Sequence, residues 1–266
     1  MKRVLFIGLG HMGSSLVKGV LKNSNNKIEV FGYDVIKEVQ DKAIKNIQGL
    51  RPLKDISEIE LKKIDYIVIG TRPIDVEPLC KNMDQLNIDG KTIICMANAV
   101  TIEDVQNNFV KNKKVSVIRM MPNMNASIQK SVTALATKNA SNETMKFVSE
   151  MFELCGIVEN IDEDKFGTLT AISGCSPSYI ISFFKAMTDY AIDKGFEKEQ
   201  AFRIIEEAII GSVMNASKSE VELRTMVDQI CVPNGSTIEG QKILDNKNFE
   251  KIIQEALIAA TKKATK

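Results

Sequence analysis

Gly8-Leu9-Gly10-His11-Met12-Gly13 has the spacing G-x-G-x-x-G and follows directly on an apolar, β-branched run at residues 4–7. In such a turn the first glycine permits the tight bend and the second lets the backbone approach a pyrophosphate. The third lets the following helix pack closely on the strand. That helix then offers phosphate its unbonded N–H groups and the positive end of its dipole. About 20 residues after Gly13, a second apolar run ends in Tyr33-Asp34, where the dinucleotide pattern places an acidic residue for a ribose hydroxyl. Gly8, Gly10, His11, Met12, Gly13 and Asp34 are therefore expected to bind a dinucleotide. His11 is expected at the cofactor edge or surface, not as a catalyst.

Two further polar turns follow apolar runs. Thr71-Arg72-Pro73 comes after residues 66–70, and Arg119-Met120-Met121-Pro122-Asn123 ends the run that starts at Val115. Turns at the carboxyl edge of an open α/β sheet are where ligand-contacting groups collect. Thr71, Arg72 and Pro73 are expected to contact the ligand, and Pro122-Asn123, readable also as an ordinary turn, to contact nicotinamide or substrate. The sharpest local feature is Val232-Pro233-Asn234-Gly235-Ser236-Thr237, between two helical stretches. As punctuation it is a well-built turn: Pro stops one helix, Asn-Gly allows unusual backbone angles and Ser/Thr starts the next. As a site it is a nest of N–H groups and two hydroxyls fitted to a carboxylate. Spacing leaves both readings open.

The elements that position these turns alternate in the first half. Strand-like runs at 4–7, 28–33, 66–70, 92–96 and 115–120 are separated by helical periods at 14–22, 35–46, 75–83 and 101–110. A strand-plus-helix pair at 132–136 and 141–154 extends the series. Continuous apolar strands imply a doubly wound parallel sheet covered on both faces. After Ile161 the strand pattern stops. A long helical stretch at 164–194, broken at Gly174-Cys175-Ser176-Pro177, is followed by helices at 197–218, 220–231, 238–245 and 249–262. Ile204, Ile205, Ala208, Ile209, Val213 and Met214 are apolar on more than one side of one helix. Such a face is expected against a second subunit or in a tight bundle on the first domain. The expected domains are residues 1–160 and 161–266.

Composition narrows the class. The 266 residues are 44% hydrophobic and 26% charged, ordinary for a soluble globular protein. Lys+Arg 35 against Asp+Glu 34 gives a net charge of +1, with no field to steer the chain toward nucleic acid or an anionic membrane. Lys262, Lys263 and Lys266 near the end are expected as solvated surface. Five scattered cysteines, odd in number and without a C-x-x-C pair, argue against a disulfide framework and a structural zinc site. They fit reduced thiols in the cytoplasm. A single histidine argues against a Ser-His-Asp triad and His-rich metal ligation. No apolar run reaches the length of a membrane span. The opening MKRVLFIGLG imitates a signal peptide but lacks a small-x-small cleavage site, and a buried strand explains it better.

The glycine loop, Met121-Pro122-Asn123, Gly174-Cys175-Ser176-Pro177-Ser178-Tyr179 and the stretch 227–244 occur in an order that resembles the pyrroline-5-carboxylate reductases. The resemblance covers essentially the whole chain and is most specific at 228–240, where the family has a Ser/Thr-Pro-Gly-Gly-x-Thr core. It implies an α/β Rossmann-type domain, then an all-α domain interlocked with its partner in a homodimer or higher homo-oligomer, with the active site near the subunit interface. It also implies NAD(P)H-dependent reduction of 1-pyrroline-5-carboxylate, an imino acid, to L-proline. Carried over by position, Asn234, Gly235, Ser236 and Thr237 hold the substrate carboxylate, with Thr237 also near the imine nitrogen. Glu220 matches an acidic residue beside the substrate ring. Arg72-Pro73 matches a usual Lys-Pro, and Ala97-Asn98-Ala99-Val100 matches a small turn over the cofactor.

Some residues depart from the family. Asn234 replaces a glycine, Val232 a Ser/Thr, and Cys175-Ser176 a small Ser-Gly pair. Met124, Asn125, Gln129 and Ser131 stand where the family has Thr-Pro and two glycines. These changes keep two alternatives in view: a related reductase acting on another imine or oxo acid, and a non-catalytic, competence-type relative. Asp34, where family members using NADPH tend to carry small polar or basic residues, predicts NADH over NADPH; Lys37, one turn on, works against that preference.

Overall fold

The computed structural model describes residues 1–24 and 28–265; Lys266, counted above with the tail lysines, lies outside them. The chain forms two compact units. The first comprises residues 1–174 and the chain's end from Ala260; the second comprises 175–259.

In the first unit, β1 (Lys2–Ile7), α1 (His11–Asn23), β2 (Ile28–Tyr33), α2 (Lys37–Asn46), β3 (Arg51–Pro52), α3 (Glu58–Leu61) and β4 (Tyr66–Ile69) come first. Then follow α4 (Pro73–Met83), β5 (Thr92–Cys95), α5 (Ile102–Gln106) and β6 (Ser116–Met121). β7 (Ser131–Thr137), α6 (Asn142–Glu153), β8 (Gly156–Asn160) and α7 (Phe166–Leu169) complete it. One eight-stranded sheet has the order β3-β2-β1-β4-β5-β6-β7-β8. Ile7 pairs with Ile69, Ile69 with Cys95 and Cys95 with Arg119, so β1, β4 and β5 end level with one another and β6 runs two residues further, to Met121. The apolar runs do not alternate because both faces are covered. Leu5, Ile7, Ile67, Ile69 and Ile93 point into one core with α4 and α5, and Val4, Phe6, Val68 and Ile94 into the other with α1 and α6. Each such side chain, fully buried, contributes about 1.5–3 kcal/mol.

The sheet is parallel as expected except at one step, where β6 and β7 pair antiparallel. The link between them, residues 122–130, holds only a 3₁₀ turn at Met124–Ile128. A parallel crossover needs a dozen or more residues. β8 then pairs parallel with β7. Its strand character is short in the sequence, since only Ile157 and Val158 of its five residues are β-branched.

The long helical stretch after Ile161 is not broken at Gly174–Pro177. It runs from α7 through a π-helical turn, Thr170–Cys175, into α8, where Pro177 falls in the first turn and needs no N–H partner. Residues 161–174 pack with the sheet. Arg119, on β6, is buried, lies 3.2 Å from Glu163 and sits 4.7 Å from the Phe166 ring. The contact division therefore falls after Gly174 and not at 160.

The second unit holds α8 (Ser176–Asp193), α9 (Lys198–Lys218), α10 (Leu223–Ile230), α11 (Ser236–Asn246) and the start of α12 (Phe249–Ala264). Phe184 and Phe202 meet edge to face, 5.1 Å apart, to join α8 and α9. Arg224 joins α10 to α11 through Asp245 at 3.6 Å. Within residues 175–259 only Pro177, Thr188, Ala201 and Ile205 are buried. Tyr190, Val213, Ile230 and Ile243 are each more than 60% exposed. A helical unit with this little core of its own leaves an apolar face for a partner. Among the described residues, no helix is long and apolar enough to cross a membrane.

Candidate active site

The glycine loop separates what the fold requires from what a ligand requires. Gly8 has φ +96°, and a Cβ there would lie 2.6 Å from the Gly70 carbonyl. Its N–H donates to the Tyr33 carbonyl at 2.9 Å, which ties the loop to β2. A Cβ on Gly13 would lie 2.1 Å from the Gly8 oxygen. These two glycines are demanded by the chain itself. Gly10 is different: a Cβ there would meet no atom within 4 Å, and its φ of −61° suits any residue. It is the N-cap of α1 and carries no side-chain cap, so first-turn N–H groups stay available to an anion. A pyrophosphate fits this cradle.

His11 is exposed on the first turn of α1. Met12 is half-buried and packs against the core beneath the loop. Asp34 does more than wait for a ribose. Its Oδ2 accepts the Leu9 N–H at 2.8 Å and its Oδ1 the Ile36 N–H at 3.0 Å. The carboxylate thereby fastens the glycine loop to the turn after β2. Each oxygen keeps a second lone pair for a ribose hydroxyl.

Thr71 and Ala97 follow the ends of β4 and β5, and Met121 is the last residue of β6, so all three share one carboxyl edge with the loop. Among the described residues Thr71 Oγ1 is buried without a hydrogen-bond partner; an unmet polar group of this kind costs about 1–3 kcal/mol. Arg72 is exposed and its guanidinium grips Asp75 at 2.8 and 3.2 Å, which raises its pKa; Pro73 opens α4. Ala97, Met121 and Pro122 are buried, and Ala99 has φ +57°.

Asn123 is 4% exposed and its side chain is spent on structure. Oδ1 accepts the Asn125 N–H at 3.2 Å, and Nδ2 donates to the Ser173 carbonyl at 3.2 Å. The thiol nearest this edge, Cys95, is buried and its pKa is pushed up to about 11, chiefly by desolvation. Cys95 therefore offers no ready thiolate at this edge. Among the described residues no cluster of metal-ligating side chains exists.

In the second unit, Asn234 has φ +60°, the left-handed conformation that its side chain tolerates. Gly235 is the N-cap of α11 and supplies no side-chain cap, while Ser236 and Thr237 are the first helical residues and are exposed. The turn read at 232–237 is thus formed, with the Gly235 N–H donating to the Val232 carbonyl at 3.0 Å. Glu220 is exposed and lies outside any helix; the helix expected at 220–231 starts at Leu223, with Glu222 as its cap. Within one chain, Glu220 and Thr237 flank opposite ends of α10, whose eight residues span about 12 Å.

The comparisons agree with this layout. Residues 163–266 match the family model for pyrroline-5-carboxylate reductase dimerisation. A pyrroline-5-carboxylate reductase of Aquifex aeolicus is 28% identical over 99% of this chain and 97% of its own. The crystal structure of 1-pyrroline-5-carboxylate reductase from Streptococcus pyogenes, 27% identical, superposes with a TM-score of 0.88 over 98% of this chain and 97% of that one. The Plasmodium falciparum pyrroline carboxylate reductase, solved with NADP bound, is 26% identical with a TM-score of 0.87, covering 99% and 97%. From its glycine loop to its helical dimerisation segment, the chain is similar to pyrroline-5-carboxylate reductases.

Proposed function

We propose that the protein is an NAD(P)H-dependent oxidoreductase that reduces the imine of 1-pyrroline-5-carboxylate to give L-proline, working as a homodimer or higher homo-oligomer. One observation carries the reading. Among the helices with a described N-cap, α1 and α11 alone carry glycine there, Gly10 and Gly235, and neither has a side-chain cap. Two anions, a pyrophosphate and a carboxylate, are what such helix starts accept.

The first unit holds the dinucleotide through Gly8, Gly10, His11, Met12 and Gly13, with Asp34 on the adenosine ribose. Thr71, Arg72, Pro73, Ala97, Met121 and Pro122 border it. The second unit holds the substrate carboxylate with Asn234, Gly235 and Ser236. The Thr237 hydroxyl hydrogen-bonds the ring nitrogen, which must bear a proton when the carbon is reduced. Glu220 adds negative charge toward the iminium, and Asn123 acts by bracing the loop after β6. When bound, the reduced nicotinamide supplies the hydride. Apart from His11 the chain has no histidine to donate a proton, so orientation is its main contribution, worth roughly 7–11 kcal/mol in favourable cases.

Asp34 favours NADH, since a 2′-phosphate beside it meets like charge. Five cysteines without a disulfide suit a reducing compartment, the cytoplasm. The test is oxidation of NADH and NADPH by the purified protein with 1-pyrroline-5-carboxylate, followed by loss of nucleotide absorbance and by proline assay. Turnover without proline, or none with either nucleotide, refutes the reading.

A further inference from the structure

Three buried side-chain polar atoms lack a hydrogen-bond partner among the described residues: Thr71 Oγ1, Arg119 Nε and Ser173 Oγ. Arg119 has its Glu163 contact through another nitrogen. Thr71 already belongs to the cofactor edge. Ser173 was singled out by nothing in the sequence, and it is 6% exposed.

Helical hydroxyls in this protein normally find a partner at once. Thr170, Ser182, Thr188 and Ser212 each donate to the carbonyl four residues back, at 2.7–2.8 Å. Ser173 does not. It sits in the π-helical turn Thr170–Cys175, where wider winding moves that carbonyl out of its usual register. The Ser131 and Thr133 hydroxyls take each other at 3.3 Å. Single π turns recur at functional sites, and a buried group left unmet calls for a specific explanation.

The position supplies one. The Ser173 carbonyl is held by Asn123 Nδ2, immediately beyond the end of β6. In the sheet order, β2 with Asp34 lies on one side of β1, and β4, β5 and β6 lie on the other. A dinucleotide with its ribose at Asp34 and its pyrophosphate at Gly10 must run its other half across the ends of β4, β5 and β6. That path, about 14 Å over three strand spacings, passes the unmet Thr71 hydroxyl and finishes at Asn123 and Ser173. We propose that Ser173 Oγ is a hydrogen-bonding group for the carboxamide of the bound nicotinamide, kept unpartnered by the π turn for that use. The proposal rests on the dinucleotide part of the proposed function.

The test titrates full-length wild type and Ser173→Ala with NADH and with ADP-ribose, which has the same adenosine and pyrophosphate but no nicotinamide. Ser173→Ala is expected to weaken NADH about tenfold and leave ADP-ribose unchanged. The Tm of the unliganded variant should hold or rise, since an unmet polar atom is removed. Ser173→Cys, which keeps the volume, should follow the alanine variant. Equal NADH affinity in wild type and variant overturns the proposal, as does an equal loss for both ligands. Failure of both variants to fold makes the hydroxyl structural and also overturns it. A wild type that binds neither ligand refutes the dinucleotide reading itself, and the two failures stay distinct.

Discussion

Replacing Gly10 by alanine separates the demands of the backbone from those of the ligand. At φ −61° alanine is unstrained, and its methyl would touch no protein atom within 4 Å. Exchanging Gly for Ala at a compatible position stabilises by about 0.4–1 kcal/mol through the unfolded chain. Alanine is a poorer N-cap than glycine and offsets that gain, so at about 2–4 °C per kcal/mol the Tm should stay within about 4 °C of wild type. The same methyl stands at the start of α1, where the phosphates approach the first-turn N–H groups. Charge-assisted hydrogen bonds of that kind are worth about 1.5–3 kcal/mol. Losing one such contribution weakens the dinucleotide by about 10- to 150-fold. Gly8→Ala and Gly13→Ala are the controls, because their methyls would lie 2.6 and 2.1 Å from backbone carbonyl atoms. Both should lower the Tm and lose soluble, folded protein. The assay pairs thermal melting with titration of NADH by fluorescence. A Gly10→Ala protein that melts early, or that binds NADH as wild type does, refutes the reasoning.

The other expectations follow from the same geometry. Asp34→Ser should shift the kcat/KM ratio toward NADPH by about ten- to hundredfold, from relief of roughly 1–3 kcal/mol of like-charge repulsion. It should also weaken both nucleotides, since Leu9 loses the carboxylate that holds its N–H; an unchanged ratio in steady-state kinetics removes Asp34 from the specificity assignment. Thr237→Ala should lower kcat/KM for 1-pyrroline-5-carboxylate by about 5- to 150-fold, for about 1–3 kcal/mol, with NADH affinity intact; wild-type kinetics would sink its role. Burial pushes Cys80 and Cys155 up to about 12 and Cys95 up to about 11, from 9.0. Because these thiols ionise on unfolding before they do so in the folded chain, stability should fall as pH rises from about 9 toward 11. The slope is at most ~1.4 kcal/mol per pH unit for each thiol. Urea titrations at pH 8 and 10 with equal midpoints would contradict it.

Much of this molecule was legible before its coordinates. Central strands announced themselves because burial on both faces selects unbroken β-branched runs, and 4–7, 66–70 and 92–96 are such runs. β8 escaped because an edge strand needs few apolar residues, and Ile157 is 57% exposed. The direction of β7 was hidden because it depends on the length of a link and not on the strand's composition. The site divides in the same way. Gly8, Gly13 and the turn at 234–237 were readable from residue type, since backbone geometry restricts which residues fit. The bonds from Asn123 to Ser173 and from Asp34 to Leu9 join positions 50 and 25 residues apart, which no local spacing encodes. Ser173 was invisible for a further reason: what distinguishes it is a partner it lacks.

The sparse interior of residues 175–259 has a consequence for how the chain comes to exist. A segment that buries little besides Pro177, Thr188, Ala201 and Ile205 on its own has too little to offset its lost conformational freedom. Its free energy minimum is reached by mass action between chains. Apparent stability then becomes a function of protein concentration, and dilution acts as a denaturant. Maturation should contain a second-order step after the sheet has folded, so that newly made chains wait for one another. A cell making few copies would hold a larger share of them in that waiting state, where exposed Tyr190, Val213 and Ile230 are open to chaperones and proteases.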